Sequence, residues 1–167
     1  MIGQCVAQAA RLDGAAEVTV SDPLVERQES ARSAGFTAVG PGEIEGLGPF
    51  DVAIDAVGIS ATASAAIKSV RNGATVCFVG LGAAEITVPL FDIVVPERLI
   101  VGTFAYPDEV FRDALRHLAA GQLDLGALIG SQEASEDTGA AFDALYSGAR
   151  RDAKIMISTG ATAPQEG

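Results

Sequence analysis

The sequence predicts an α/β domain built on a doubly wound parallel sheet, and two observations carry that expectation. Short β-type runs alternate with helical-period segments along the whole chain, and strands separated in this way pair in parallel through right-handed crossovers. In addition, the run Val18-Thr19-Val20-Ser21 ends in an acidic residue, Asp22, 19 positions after Gly3, which opens an apolar helical segment. That spacing is found in βαβ units that bind dinucleotides.

Taken in order, residues 2–12 place Ile2, Val6, Ala9 and Ala10 at helical spacing, and Gly14 can end that helix. Residues 17–21 read as a strand. Asp22-Pro23 then suits the N-cap and first position of a helix over 23–34, closed by Gly35. A short strand at 36–39 and a Gly- and Pro-rich loop over 40–49 follow. Residues 51–57 (DVAIDAV) read as a buried strand ending at Gly58. Ser60 is the expected N-cap of a helix over about 61–70, and Asn72-Gly73 a turn. Residues 74–80 (ATVCFVG) form the most apolar β run. After an irregular stretch, 81–97, come a strand at 99–104 and a helix from Pro107 to Ala120 with Phe111, Leu115 and Leu118 on one face. A strand at 127–133, a helix at 135–147 and a strand at 153–157 close the chain. The expected domain spans residues 1–158, with 159–167 as a flexible tail. No internal repeat is evident.

Composition narrows the function. The chain has 167 residues, 49% of them hydrophobic, and a net charge of −11. One domain of this size buries a sufficient core without disulfides. The negative charge opposes binding to nucleic acid or to an anionic membrane. Cys5 and Cys77 lie far apart in apolar runs and read as buried, reduced thiols, while the single histidine, His117, leaves no room for a His-rich metal site. No stretch is long and apolar enough for a transmembrane helix, so a cytoplasmic location is the default expectation.

In a dinucleotide-binding βαβ unit, the pyrophosphate sits at the helix N-terminus, where free N–H groups and the dipole favour an anion. The acidic residue after the second strand accepts hydrogen bonds from the adenosine ribose. Gly3 and Asp22 stand where these roles require. A carboxylate at Asp22 repels a 2′-phosphate, so NAD is expected over NADP. The competing reading makes Asp22 only a helix cap before Pro23.

Gly14-Ala15, Val18, Asp22, Arg27, Ala31 and Gly35 follow the pattern GA-x-x-V-x-x-x-D-x-x-x-x-R-x-x-x-A-x-x-x-G. This resembles the cofactor domain of the medium-chain, zinc-type alcohol and polyol dehydrogenases. The resemblance continues through DVAIDAVG, NGATVCFVGLG and RLIVGTFAYPDEVFRDALRHLAAGQLDLGALI, and resumes at DAKIMI. It implies a Rossmann-like fold and hydride transfer between NAD and a secondary alcohol. It implies that Gly3 is the third glycine of the GxGxxG fingerprint, Asp22 the ribose ligand and Arg27 the basic residue along the adenine. By the same resemblance Val57 and Gly58 pass close to the cofactor, Val79, Gly80 and Leu81 flank the nicotinamide ribose, and Thr103 and Phe104 reach the nicotinamide amide. Arg27 as a solvated helix residue, Gly58 and Gly80 as simple turn glycines, and Phe104 as a core residue are the plainer alternatives. The family also implies pairing of two copies along the sheet edge near 98–104.

Departures from the family are equally informative. The sequence lacks the family's first, central strand with the first two glycines, and the catalytic domain that holds zinc. Met1 therefore reads as an internal Met of a longer enzyme. No catalytic residue and no metal ligand is assigned on this chain, so zinc is expected only in the absent domain and the isolated chain is expected to be inactive. Without the central strand, its two neighbours expose unpaired N–H and C=O rows, unless they close on each other or another chain fills the gap. Rival readings are a non-catalytic nucleotide-binding or interaction module, and a methyltransferase of similar sheet order, which the downstream GTF-Y and KIMI segments disfavour.

Overall fold

The computed structural model describes residues 1–150 and 153–160. From residue 161 on, the expected tail lies outside the described residues. The chain divides into two compact units, one of residues Ile2–Asp113 and one comprising Met1 and the residues from Ala114 onward.

The first unit follows the expected alternation. Helix α1, Ile2–Leu12, leads to strand β1, Thr19–Ser21, helix α2, Val25–Ser33, and strand β2, Thr37–Val39. Gly14 and Gly35 follow the two helices with φ of +93° and +81°, the left-handed conformation that ends a helix at little cost. Strands β1 and β2 pair in parallel, Thr19 opposite Thr37. Ala7, Ala31, Phe36 and Ala38 make the buried core between this ribbon and its helices. The small side chains let helix and sheet backbones approach closely. Arg11 closes the edge of the core: its guanidinium lies 3.9 Å from the Phe36 ring centroid and donates to the carbonyls of Ala34 and Gly35 at 3.1 Å.

A second parallel sheet runs β3-β4-β5. Its strands are β3, Phe50–Asp55; β4, Val70–Phe78; and β5, Leu99–Gly102. Helix α3, Ser60–Ser69, connects the first two, and a short helix α4, Phe91–Val94, precedes the third. The core here is Ile67, Val70, Ala74 and Val76, with Phe50, Ala53 and Phe78 packed against it. Helix α5, Asp108–Ala119, crosses from one unit's residues to the other's. In the second unit β6, Ser131–Ala134, and β7, Ile155–Ser158, pair in parallel around helix α6, Thr138–Tyr146.

The doubly wound sheet therefore appears in pieces. Among the described residues, β1 pairs only with β2, and β3 only with β4. The two strands do not close on each other. Val52 and Ile54, on one face of β3, remain 56% and 41% exposed, while Asp55 is buried.

Local expectations need five corrections. Asp22-Pro23 does not cap α2; the helix begins two residues later, and the Leu24 carbonyl accepts from the N–H groups of Arg27 and Gln28 at 3.0 Å. Ser60 does not cap α3. The cap position is Ile59, whose N–H donates to Thr62 Oγ1 at 3.3 Å, while Ser60 Oγ accepts from the Thr87 N–H at 2.9 Å. Asn72-Gly73 is not a turn between elements but a bulge inside β4: the register moves from Phe50 opposite Val70 to Val52 opposite Thr75, with Gly73 at φ +70°. The strand expected at 127–133 is confined to Ser131–Ala134, after a 3₁₀ turn at Gly126–Leu128. Cys5 and Cys77 are free, as expected, but half-buried rather than buried.

Candidate cofactor site

Asp22 ends β1. Its backbone N–H donates to the Val39 carbonyl at 3.2 Å, and its own carbonyl accepts from Gln28 Nε2 at 2.8 Å. Gln28 is buried and accepts from Arg32, which also donates to the Ala38 carbonyl at 2.7 Å. The main chain at Asp22 is thus clamped from α2. On the side chain, Oδ1 accepts from the Leu24 N–H at 2.9 Å, an Asx turn that fixes the carboxylate. Oδ2 lies 3.7 Å from Arg27 Nη1, an ion pair too long to be a hydrogen bond. One carboxylate oxygen is therefore oriented and still free to accept.

Gly3 lies in the first turn of α1. A Cβ built there would meet the Ala56 Cβ at 3.9 Å, an ordinary contact. A methyl group would therefore fit at Gly3 without displacing its neighbours. The neighbouring Gln4 donates to the Arg27 carbonyl at 3.4 Å and accepts from Ser30 Oγ at 3.4 Å. Helix α1 accordingly touches both α2, near Asp22, and the end of β3, near Ala56.

The tight approach is at the carboxyl ends of β3 and β4. Gly58 has φ +78°, and a Cβ there would run into the Gly80 carbonyl; one on Gly80 would run into the Val57 backbone. A Cβ on Gly82 would lie 2.6 Å from the Val57 carbonyl oxygen. Hydrogen bonds fasten the two loops: Gly82 N–H to the Val57 carbonyl at 2.8 Å and Ala83 N–H to the Gly58 carbonyl at 3.0 Å. Gly58 and Gly80 are therefore more than turn glycines; their missing side chains allow backbone to lie on backbone. Thr103 joins this edge by donating from its N–H to the Phe78 carbonyl at 3.0 Å. Leu81 and Phe104 are 78% and 86% exposed, so the core alternative for Phe104 fails.

Asp55 organises this edge, and the sequence reading assigned it nothing. It is 4% exposed. Its Oδ1 accepts from the N–H groups of Val57 at 2.8 Å and Gly58 at 3.1 Å, and its Oδ2 from Thr62 Oγ1 at 3.0 Å. Its carbonyl accepts from the N–H groups of Val79 and Gly80 at 2.9 Å. A buried carboxylate is tolerated when donors surround it in this way. The available signal was an acid at a strand end with Gly three and Thr seven residues on, the spacing of an Asx turn running into a helix cap.

Of the ten residues singled out, Val57, Gly58, Gly80 and Leu81 meet at one sheet edge, with Val79 and Thr103 bonded into it and Phe104 next in the chain. Gly3 abuts the same edge through Ala56, and Asp22 and Arg27 pair at the end of the other ribbon. In open α/β sheets, ligands bind outside the carboxyl ends of the strands. A free, oriented carboxylate oxygen and a side-chain-free backbone edge fit a dinucleotide. Among the described residues no group of three or more His, Cys, Asp or Glu is placed to hold a metal ion such as zinc. No described helix is long and apolar enough to cross a membrane.

Fold and site together define a cofactor-binding α/β domain. Residues 2–120 match the family model of the zinc-binding dehydrogenases, and the chain belongs to that family as its cofactor-binding domain. An L-idonate 5-dehydrogenase of Vitis vinifera is 40% identical over 79 residues, which cover 47% of this chain and 21% of that protein. A sorbitol dehydrogenase of Macaca fascicularis is 36% identical over 110 residues, covering 58% and 30%. The fold is that of the crystallised L-idonate 5-dehydrogenase of Escherichia coli K-12, with a TM-score of 0.84 at 22% identity over 95% of this chain and 47% of that one. It is equally that of a short chain alcohol dehydrogenase of Escherichia coli CFT073 complexed with NADH, with a TM-score of 0.82 at 18% identity over 95% and 49%. The chain spans about half the length, or less, of the relatives it matches.

Proposed function

We propose that this chain is the NAD-binding part of a dehydrogenase acting on a secondary alcohol of a polyol, with residues 1–158 acting as one cofactor-binding domain. The observation that carries the reading is Asp22: its Oδ1 is held by the Leu24 N–H at 2.9 Å, which leaves Oδ2 to accept from ribose hydroxyls. Arg27 lies along the adenine. Gly3 at the start of α1 receives the pyrophosphate, and Val57, Gly58, Val79, Gly80, Leu81, Thr103 and Phe104 line the nicotinamide half. Bound NAD would supply the hydride acceptor. The polarising zinc belongs to a part of the enzyme that this chain does not contain, so the 167-residue chain alone has little or no dehydrogenase activity. The sorbitol and idonate dehydrogenases among its relatives support a polyol-type substrate.

The test is NADH titration of the purified chain and of Asp22→Ala. Hydrogen bonds to a charged group are worth about 1.5–3 kcal/mol, so the variant should bind roughly 10- to 150-fold more weakly. It should also lose discrimination against NADPH. Unchanged affinity and unchanged NADH preference in Asp22→Ala would overturn the ribose assignment. The open edge of β5, which has a single neighbour among the described residues and exposes Leu99, Ile100 and Val101, supports pairing of two copies there.

A further inference from the structure

The other end of the second sheet carries a feature that the cofactor reading does not use. A cavity of about 590 Å³ opens at the amino-terminal ends of β3 and β4, opposite the carboxyl edge described above. Its lining includes Lys68, Arg71 and Arg98, three of the 11 lysines and arginines in a chain of net charge −11. Glu45 is the carboxylate in the lining, and Ser69 and Asn72 add polar groups. Clustering of cations in so acidic a chain calls for a physical reason.

Each cation has a different answer. Arg71 pairs through Nε with Asp51 at 2.7 Å, and both are exposed, so the pair contributes little. Lys68 is exposed in the last turn of α3, where the helix dipole favours a cation, but no counter-ion reaches it among the described residues. Arg98 is the informative one. It is half-buried and donates only to carbonyls, from Nη1 to Asp92 at 2.7 Å and from Nη2 to Val70 at 2.6 Å. Its buried Nε has no partner, and no described carboxylate lies within ion-pair distance. The guanidinium is met here by the carbonyls of Asp92 and Val70 rather than by a carboxylate. Arg98 staples α4, β4 and the start of β5 together, and that role accounts for its carbonyl bonds. It does not account for a second cation without a described counter-ion, Lys68, in the same lining.

We propose that this cavity binds the oxyanion group of a small molecule, a phosphate or a carboxylate, with Lys68 and Arg71 making the direct contacts and Arg98 supplying the fixed positive field behind them. The volume lies within the range of small-molecule sites. Ammonium and guanidinium groups together recognise such oxygens by charge-assisted hydrogen bonds. Because Arg98 links α4 to β4 and the start of β5, the bound anion stabilises the unit around it.

Sodium phosphate, sodium acetate and sodium chloride, at matched ionic strength, are titrated into the full chain and into the double variant Lys68→Ala/Arg71→Ala. Unfolding temperature and amide chemical shifts are read in each. At ten times its Kd an anion that binds only the folded state raises the unfolding temperature by about 3–5 °C. Phosphate or acetate should do so beyond chloride and should shift the amides of Ser69–Asn72; whichever does identifies the oxyanion. The double variant, which alters only exposed side chains, should lose at least three quarters of that increment. Equal effects of all three salts, an increment that survives in the double variant, or shifts confined to the start of α1 would overturn the proposal. The last pattern would report phosphate at the dinucleotide site, so this test and the NADH titration fail independently.

Discussion

Replacing Asp55 by Ala removes one acceptor from three donors at once. The Thr62 hydroxyl has an alternative, because it also lies 3.1 Å from the Ile59 carbonyl and can turn to it. The N–H groups of Val57 and Gly58 have no substitute in the structure, and Gly58 is buried. Leaving a buried donor unpaired costs about 1–3 kcal/mol. Val57 is exposed enough for water to replace part of its bond, so the expected loss is about 2–4 kcal/mol. Against a total stability of roughly 5–15 kcal/mol this is large, and it should lower the unfolding temperature by about 5–15 °C. The chain has no tryptophan, so the assay is urea unfolding followed by far-ultraviolet circular dichroism, with amide exchange read at Val57 and Gly58. Asp55→Asn keeps the Oδ1 acceptor and places an amide donor against the Thr62 hydroxyl oxygen, so it should cost less than about half as much as Ala. If Asn proves as damaging as Ala, charge rather than acceptor geometry holds the loop. If Ala is neutral, the three bonds contribute nothing and Asp55 is no organiser of this edge.

Three further outcomes follow from the same geometry. Gly80→Ala should destabilise by about 2 kcal/mol or more, since its Cβ would enter the Val57 backbone and the loops must part; denaturant unfolding reads this, and a neutral result would mean that the two loops are not in contact. Gly3→Ala should leave stability unchanged or raised by up to about 1 kcal/mol, because Ala is the better helix residue and the space exists; a fall in NADH affinity without a fall in stability would separate a phosphate role from a packing role. Val101→Lys on β5 should leave the core intact and reduce self-association in sedimentation velocity; a monomeric parent chain would refute the pairing proposed there.

Much of the first unit was legible in the sequence, for local reasons. Ile2–Leu12 is apolar at helical period and Gly14 can adopt the left-handed conformation, so α1 begins and ends where expected. The strand ending at Asp22 and the helix closing at Gly35 were legible in the same way. Two of the errors are also local and share a cause. Asp22 and Ser60 have the chemistry of helix caps, but each side chain found another backbone partner, Leu24 for one and Thr87 for the other. A residue type specifies what a side chain can bond, not which competing N–H will be nearest.

The sequence by itself determined the alternation of strands and helices, the family to which the chain belongs, and the position of an acidic residue at the end of β1. These depend on side-chain period and on spacing along one chain. Only the tertiary structure decided that β1 and β3 remain unpaired with each other, that the backbone at Val57 and Gly58 lies against Gly80 and Gly82, that Asp55 is buried beneath that contact, and that Lys68, Arg71 and Arg98 share one cavity. The loop contact and the cation cluster join residues far apart in sequence. Parallel strands bring their ends together only after a crossover, so these contacts are set by how backbones pack rather than by any local preference of the residues that make them.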